Sequence, residues 1–174
     1  MSGSLVITNR QHAKPLNTRL LRKMTKVLLT DLLGSEQFEL GITLVRAPEM
    51  ARINETFLQH EGSTDVITFD YADNVLSASR LQVGLNLPAG CRKHVHGEIF
   101  ICIDDAVKQA KEFRTSWQSE LARYVIHGVL HLRGFDDLRP VARRKMKREE
   151  NRLLKEMARL FPLSKLGGGS RLAA

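Results

Sequence analysis

Cysteines and long apolar runs are scarce in this 174-residue sequence. Its two cysteines, Cys91 and Cys102, form no closely spaced pair, which excludes a disulfide-rich scaffold and fits a reducing compartment. No run approaches the roughly 20 apolar residues that cross a bilayer. The first residues also lack the charged start and apolar core of a secretory signal. These absences predict a cytoplasmic protein with no membrane partner.

Acidic residues are outnumbered by basic ones. The sequence has 27 lysines and arginines against 19 aspartates and glutamates, which leaves a formal net charge of +8. This charge favours polyanionic partners such as nucleic acid or an acidic membrane surface. In the densest basic run we predict RNA contacts for Arg143, Arg144 and Lys147. A solvated helix face is the competing interpretation of the same run.

Hydrophobic periodicity predicts strands and helices that alternate along the chain. The strand at 97–103 is apolar on both faces, so we expect it to be central in a sheet. Asp104 and Ser116 are predicted N-caps of the helices that follow them. Residues 70–95 lack periodicity and predict a surface loop with a short hairpin. The predicted strands are 5–8, 38–45 and 97–103, with a turn that enters a further strand over 62–69. The predicted helices are 15–33, 47–59, the one that follows Asp104 to about 114, 117–133 and 140–160.

Two histidines stand four residues apart in the helix predicted over 117–133. His127 and His131 would lie on one face of that helix, so both rings can reach one metal ion. Gly134 is placed to end the helix in a left-handed conformation. Asp136 and Asp137 follow and can carry a carboxylate back toward the pair. Two imidazoles, one carboxylate and an open position for water are the composition of a catalytic zinc site.

The residues around the histidine pair limit the reactions that the site could catalyse. Gly128 stands where zinc proteases carry the glutamate that acts as general base, which disfavours a peptidase. The helix is apolar around much of its girth, and two buried histidines would need a partner such as a shared ion. Glu120 could support the metal ligands, face the core or be exposed, and exposure is favoured. His94 and His96 could form a second metal-binding pair, but a basic patch at the edge of a strand is the favoured interpretation.

The stretch from residue 127 to residue 136 resembles the signature HGxLHLxGYDH of the YbeY family, bacterial metal-dependent endoribonucleases linked to ribosomal RNA maturation. Phe135 replaces the tyrosine, and Asp137 replaces the third histidine. Residues 64–69 resemble the family's TDVLSF element. Asn54 and Phe57 fit its LNxxYR pattern, but Leu58 stands where the family has an arginine linked to activity.

The resemblance implies a fold and a site. The fold is α+β, a single domain over residues 1–163 with a small mixed sheet packed against helices and a central metal helix, followed by a flexible tail over 164–174. His127, His131 and Asp137 would hold one divalent ion, with zinc favoured, although a carboxylate ligand can shift the preference among metals. The general base is left open between Asp136 and metal-activated water.

The resemblance also implies a function. By this resemblance the protein would be a metal-dependent endoribonuclease that cuts single-stranded ribosomal RNA in 16S rRNA maturation and ribosome quality control. Its partners would be RNA and small-subunit proteins. The alternative is a ribosome-associated RNA-binding or assembly factor with a structural metal and weak or no catalysis. Leu58 and Asp137, which depart from the family pattern, favour that alternative.

Overall fold

The computed structural model describes residues 2–71 and 92–168. Two of the helices continue directly into π-helical turns, and a 3-10 helix closes the described part. Most of the predicted loop over 70–95, with Cys91, lies outside the described residues. The strands are β1 (Ser2–Asn9), β2 (Gln37–Val45), β3 (Val66–Asp70) and β4 (His94–Cys102), the helices are α1 (Thr18–Val27), α2 (Ala47–Ile53), α3 (Ile103–Glu112), α4 (Trp117–Leu132) and α5 (Pro140–Leu160), and the turns are Leu28–Leu32, Asn54–Leu58 and Leu163–Gly167.

The four described strands form one mixed sheet in the order β1-β2-β4-β3. Strands β1, β2 and β4 run parallel, and β3 pairs antiparallel to β4. On β2, the alternate residues Phe38, Leu40, Ile42 and Leu44 are buried, as their spacing predicts. Strand β4 has a neighbour on each side, which confirms its predicted central place. The α+β fold with a small mixed sheet is therefore confirmed.

Helix α4 lies close against β4 because a glycine faces the strand. A Cβ atom built on Gly128 would meet Ile99 Cγ2 at 2.8 Å, and one built on Gly97 would meet Leu132 Cδ2 at 2.8 Å. Apolar side chains of α1, α4 and α5 join the same core as the sheet. The core therefore holds the helix that carries both histidines, which confirms that this helix is central.

The predicted helix ends are partly confirmed. Ser116 caps α4, because its hydroxyl oxygen accepts from the Ser119 N–H at 3.2 Å. Gly134 has the expected left-handed backbone, with φ of 85°. The prediction for Asp104 is wrong, since α3 already begins at Ile103. Within that first turn the Asp104 carboxylate faces α2 instead, where it accepts from the Ala47 N–H at 2.8 Å.

Glu120 was predicted to be exposed, and this prediction is wrong. The side chain lies in the first turn of α4 with only 3% of the residue accessible. Its carboxylate accepts from the Thr115 hydroxyl at 2.5 Å, and Arg123 Nε lies 3.7 Å from it. The turn before α4 supplies the hydroxyl, which is why the carboxylate can be buried.

The chain end was predicted to become a flexible tail at residue 164. The structure differs, because the 3-10 helix Leu163–Gly167 packs onto the domain with Leu166 fully buried. The Leu166 carbonyl accepts from the Asn17 N–H at 2.9 Å. The folded part therefore reaches residue 168, and residues 169–174 lie outside the described chain. Within the described ranges, no helix is both long enough and apolar enough to cross a membrane.

Candidate metal centre

The three predicted ligands come together at the end of α4. His127 and His131 project from one face of that helix, and Asp137 returns to them after the turn at Gly134. Asp137 Oδ2 lies 3.9 Å from the Nε2 atom of each ring, and the two Nε2 atoms lie 3.0 Å apart. Of the residues that the structure describes, these three form the only cluster of histidine, cysteine or acidic side chains placed to share an ion.

Hydrogen bonds on the far side of each ring decide which nitrogen carries the proton. His127 Nδ1 lies 3.0 Å from Glu150 Oε2, and His131 Nδ1 lies 3.2 Å from the Phe135 carbonyl oxygen. Both partners are acceptors, so both Nδ1 atoms are assigned as donors. Each Nε2 atom then presents a lone pair toward the other and toward the Asp137 carboxylate. Such a convergence of lone pairs and negative charge calls for a cation.

The distances among the three atoms also fit one ion. The point equidistant from Nε2 of His127, Nε2 of His131 and Oδ2 of Asp137 lies about 2.1 Å from each, a normal zinc–nitrogen or zinc–oxygen bond length. The histidine side chains are 26% exposed and the Asp137 side chain 39%, so one side of the cluster is open. An open side is typical of catalytic rather than structural sites.

Glu150 is the supporting residue that the sequence analysis did not assign to the site. It lies on α5 and is 3% exposed. One carboxylate oxygen accepts from His127, while the other accepts from Arg123 Nη1 at 2.6 Å and from Lys147 Nζ at 2.8 Å. A carboxylate behind a metal-binding imidazole orients the ring and raises its basicity. The sequence feature that could have identified Glu150 is the position of an acidic residue within the buried stripe of the last helix.

The protonation states suit metal binding. Burial alone would raise the pKa of Glu150, but hydrogen bonds from His127, Lys147 and Arg123 outweigh it and lower that pKa to about 2. Burial and the neighbouring His127 ring lower the pKa of His131. At neutral pH, Glu150 is therefore a carboxylate and the His131 ring is held in the neutral form that binds metals.

A cleft of about 230 Å³ opens beside the cluster. His127, Asp137 and Glu150 line it, together with two of the three predicted RNA contacts, Arg143 and Lys147. The third predicted contact, Arg144, is exposed but does not line the cleft.

Asp136, the candidate general base, lies outside the ligand triangle. One of its oxygens accepts from the Leu138 N–H at 3.0 Å and so shapes the turn that returns Asp137 to the histidines. Its catalytic role stays a prediction. The second histidine pair gains no support: His94 is exposed, and His96 Nε2 lies 3.6 Å from Glu39 Oε2 on the neighbouring strand.

Comparison with known proteins decides the family. The family model described as endoribonuclease YbeY matches residues 6–158, which is most of the chain. The chain belongs to the YbeY family. The resemblance of the histidine signature to the YbeY family is therefore confirmed, and it extends over residues 6–158.

Individual YbeY relatives agree with this assignment. A protein named endoribonuclease YbeY from Salinibacter ruber is 30% identical over 72% of this chain and 74% of its own length. Another with the same name, from Alkaliphilus metalliredigens, is 29% identical over 90% of this chain and 97% of its own length. The solution structure of TM1509 from Thermotoga maritima shares the fold, with a TM-score of 0.61 at 20% identity over 98% of this chain and 100% of that one.

Proposed function

We propose that the protein is a metal-dependent endoribonuclease that uses zinc and cuts single-stranded ribosomal RNA during 16S rRNA maturation and ribosome quality control in the cytoplasm. The observation that carries the proposal is the convergence of two Nε2 lone pairs and the Asp137 carboxylate on one point beside a cleft lined with cations. Membership of the YbeY family, whose relatives are named endoribonucleases, supports RNA as the substrate.

His127, His131 and Asp137 would hold the ion. When bound, it would polarise a phosphate oxygen and lower the pKa of the attacking group. Glu150 holds the His127 ring in the orientation that directs Nε2 at the ion, and Arg123 and Lys147 in turn hold Glu150. For the general base we retain Asp136 as a candidate, beside water activated at the metal.

Arg143 is the best-placed cation for the scissile phosphate. Leu58, at the family's arginine position, is 44% exposed and carries no charge. Arg143 lines the metal cleft, and its Nε atom donates to the backbone carbonyl of Asp137 at 2.9 Å. That bond holds the guanidinium beside a metal ligand, while its terminal nitrogens make no hydrogen bond to any described residue. Lys147 is already engaged by Glu150, so we assign the phosphate contact to Arg143.

The first experiment joins metal content to cleavage. Protein purified without chelator should carry about one zinc ion per chain, and it should cut a single-stranded fragment of ribosomal RNA. His127→Ala should lose both properties, as should the double variant Asp137→Ala, His131→Ala. An unchanged metal content in these variants would exclude the ligand set.

A second experiment isolates Arg143. Replacing one preorganised charge donor in a transition-state site typically costs about 100-fold in turnover. Arg143→Met should therefore lower kcat by about that factor with metal content unchanged. Arg148→Met is the matched control, because Arg148 is exposed on the same helix and does not line the cleft. Equal effects of the two substitutions would exclude the assignment to Arg143.

The alternative function is ribosome-associated RNA binding or assembly with a structural metal. The charge missing at Leu58 and the carboxylate at Asp137 favour it. This alternative requires that the wild-type protein bind ribosomal RNA with little or no cleavage, and that His127→Ala bind the RNA equally well.

A further inference from the structure

Three residues that line the cleft beside the metal centre take no part in the proposed reaction, and we call their part of the cleft the Asp65 end. Asp65, just before β3, and Gln109 on α3 line this end with Tyr124, which lies one helical turn before His127. Two cations of the cleft, Arg143 and Lys147, lie on α5, and the third, Arg123 on α4, already donates to Glu150. A carboxylate repels phosphate, so the Asp65 end suits an uncharged polar part of a ligand.

Tyr124, in the wall of the cleft, has a buried and unsatisfied hydrogen-bond donor. The residue is 3% exposed, and its hydroxyl has no hydrogen-bond partner among the described residues. Burial, together with the charges of Asp65 and Glu120, raises the pKa of Tyr124, so the hydroxyl keeps its proton at neutral pH. Buried polar groups in native proteins almost always have partners, and an exception calls for an explanation. An acceptor on a bound ligand would be such a partner.

Gln109 adds a side-chain amide and Asp65 a carboxylate oxygen, and both are available to a ligand. The Gln109 side-chain amide makes no hydrogen bond within the described chain. Asp65 Oδ1 accepts from the Thr64 hydroxyl and from the Val66 N–H, which leaves Oδ2 available. An amide can pair with the amino group and ring nitrogen of adenine, and a carboxylate can accept from the amino group of cytosine. Met146 supplies apolar surface in the same cleft.

We propose that Asp65, Gln109 and Tyr124 form a nucleobase subsite next to the metal-held phosphate, selective for bases with an exocyclic amino group. The inference rests on the proposed function for RNA as the ligand. At about 230 Å³ the whole cleft is smaller than the ~300 Å³ at which pockets for drug-sized ligands begin. It suits one nucleotide of a single strand, whose base edge is free to be read.

Calorimetric titration with nucleotides tests the subsite directly. The probes are adenosine, cytidine and uridine 5′-monophosphates, with ribose 5-phosphate as a ligand that lacks a base. The wild-type protein with its metal should bind the adenosine and cytidine nucleotides about tenfold more tightly than the uridine nucleotide, since one good contact to a base edge gives roughly 5- to 150-fold discrimination. Ribose 5-phosphate should bind most weakly. Equal affinity for all four probes would overturn the proposal.

Gln109→Leu should bring the discrimination between adenine and uracil to within about twofold, while the affinity for uridine monophosphate stays the same. Gln37→Leu is its matched control, because Gln37 is exposed at the start of β2, outside the cleft. Retained discrimination in Gln109→Leu, with a normal melting temperature, would exclude Gln109 from base recognition.

Tyr124→Phe separates a ligand contact from a structural one. Because the hydroxyl has no partner in the free protein, its removal should leave the melting temperature equal or higher, while nucleotide affinity falls about fivefold. A purely structural hydroxyl would give a lower melting temperature and unchanged affinity, which would overturn this part of the proposal. Tyr71→Phe, outside the cleft, should change neither the affinity nor the base preference.

The outcomes also separate this inference from the proposed function. Base-selective nucleotide binding without cleavage of RNA would retain the subsite and refute the nuclease. Metal-dependent cleavage without base selectivity would retain the nuclease and refute the subsite.

Discussion

The effect of removing the Glu150 carboxylate on stability can be predicted in magnitude. This carboxylate is buried and accepts hydrogen bonds from three groups, on His127, Arg123 and Lys147. Its pKa falls from 4.5 to about 2 on folding, since the hydrogen bonds from His127, Lys147 and Arg123 outweigh the effect of burial. This difference corresponds to about 3 kcal/mol of folding free energy at neutral pH. We therefore expect Glu150→Gln to lower the free energy of unfolding by about 3 kcal/mol at pH 7.

The pH dependence of this stabilisation has a definite sign. A carboxylate with a depressed pKa stabilises the fold above its unfolded-state value of 4.5, and the stabilisation is lost as the pH falls toward about 2. Between about pH 5 and about pH 3, the wild-type protein should therefore lose about 2 kcal/mol more than Glu150→Gln. Near pH 2 the two proteins should approach equal stability.

Urea unfolding in the presence of chelator measures this difference without a contribution from bound metal. The control is Glu149→Gln, which removes the adjacent carboxylate that pairs with Arg152 on the more exposed side of α5. Surface pairs of this kind are worth about 1 kcal/mol or less. A Glu150→Gln variant within about 0.5 kcal/mol of wild type at pH 7 would show that the Glu150 network does not stabilise the fold.

Three further substitutions test other parts of the structure. Gly128→Ala should cost about 1–3 kcal/mol in urea unfolding, because the new methyl group would lie 2.8 Å from Ile99; a neutral result would refute the close packing of α4 on β4. Leu166→Ala should cost about 2–4 kcal/mol, whereas no loss would mean that the 3-10 helix Leu163–Gly167 is not packed on the domain. Asp137→His should raise the affinity for zinc relative to manganese in competition dialysis, since imidazole suits zinc and a carboxylate suits harder ions. An unchanged preference would argue that Asp137 is not a ligand.

The sequence determined the features that depend on short separations along the chain. The four-residue spacing placed His127 and His131 on one helix face, because the helical repeat sets that geometry before any tertiary contact forms. Ser116 and Gly134 marked the ends of the same helix by the local chemistry of caps. The alternation on β2 likewise determined which of its side chains face the core.

Tertiary structure decided which distant groups meet, because local periodicity says nothing about the pairing of one element with another. Glu150 reaches His127 only because α5 packs against α4. Asp104 meets α2 rather than capping its own helix, since the strands before the two helices, β2 and β4, are paired side by side. Tyr124 and Gln109 share a cleft for the same reason, as they lie on separate helices whose relative placement follows from the sheet beneath them. The sequence therefore specified the metal-binding pair, and the packing of helices on the sheet supplied its supporting carboxylate and its cleft.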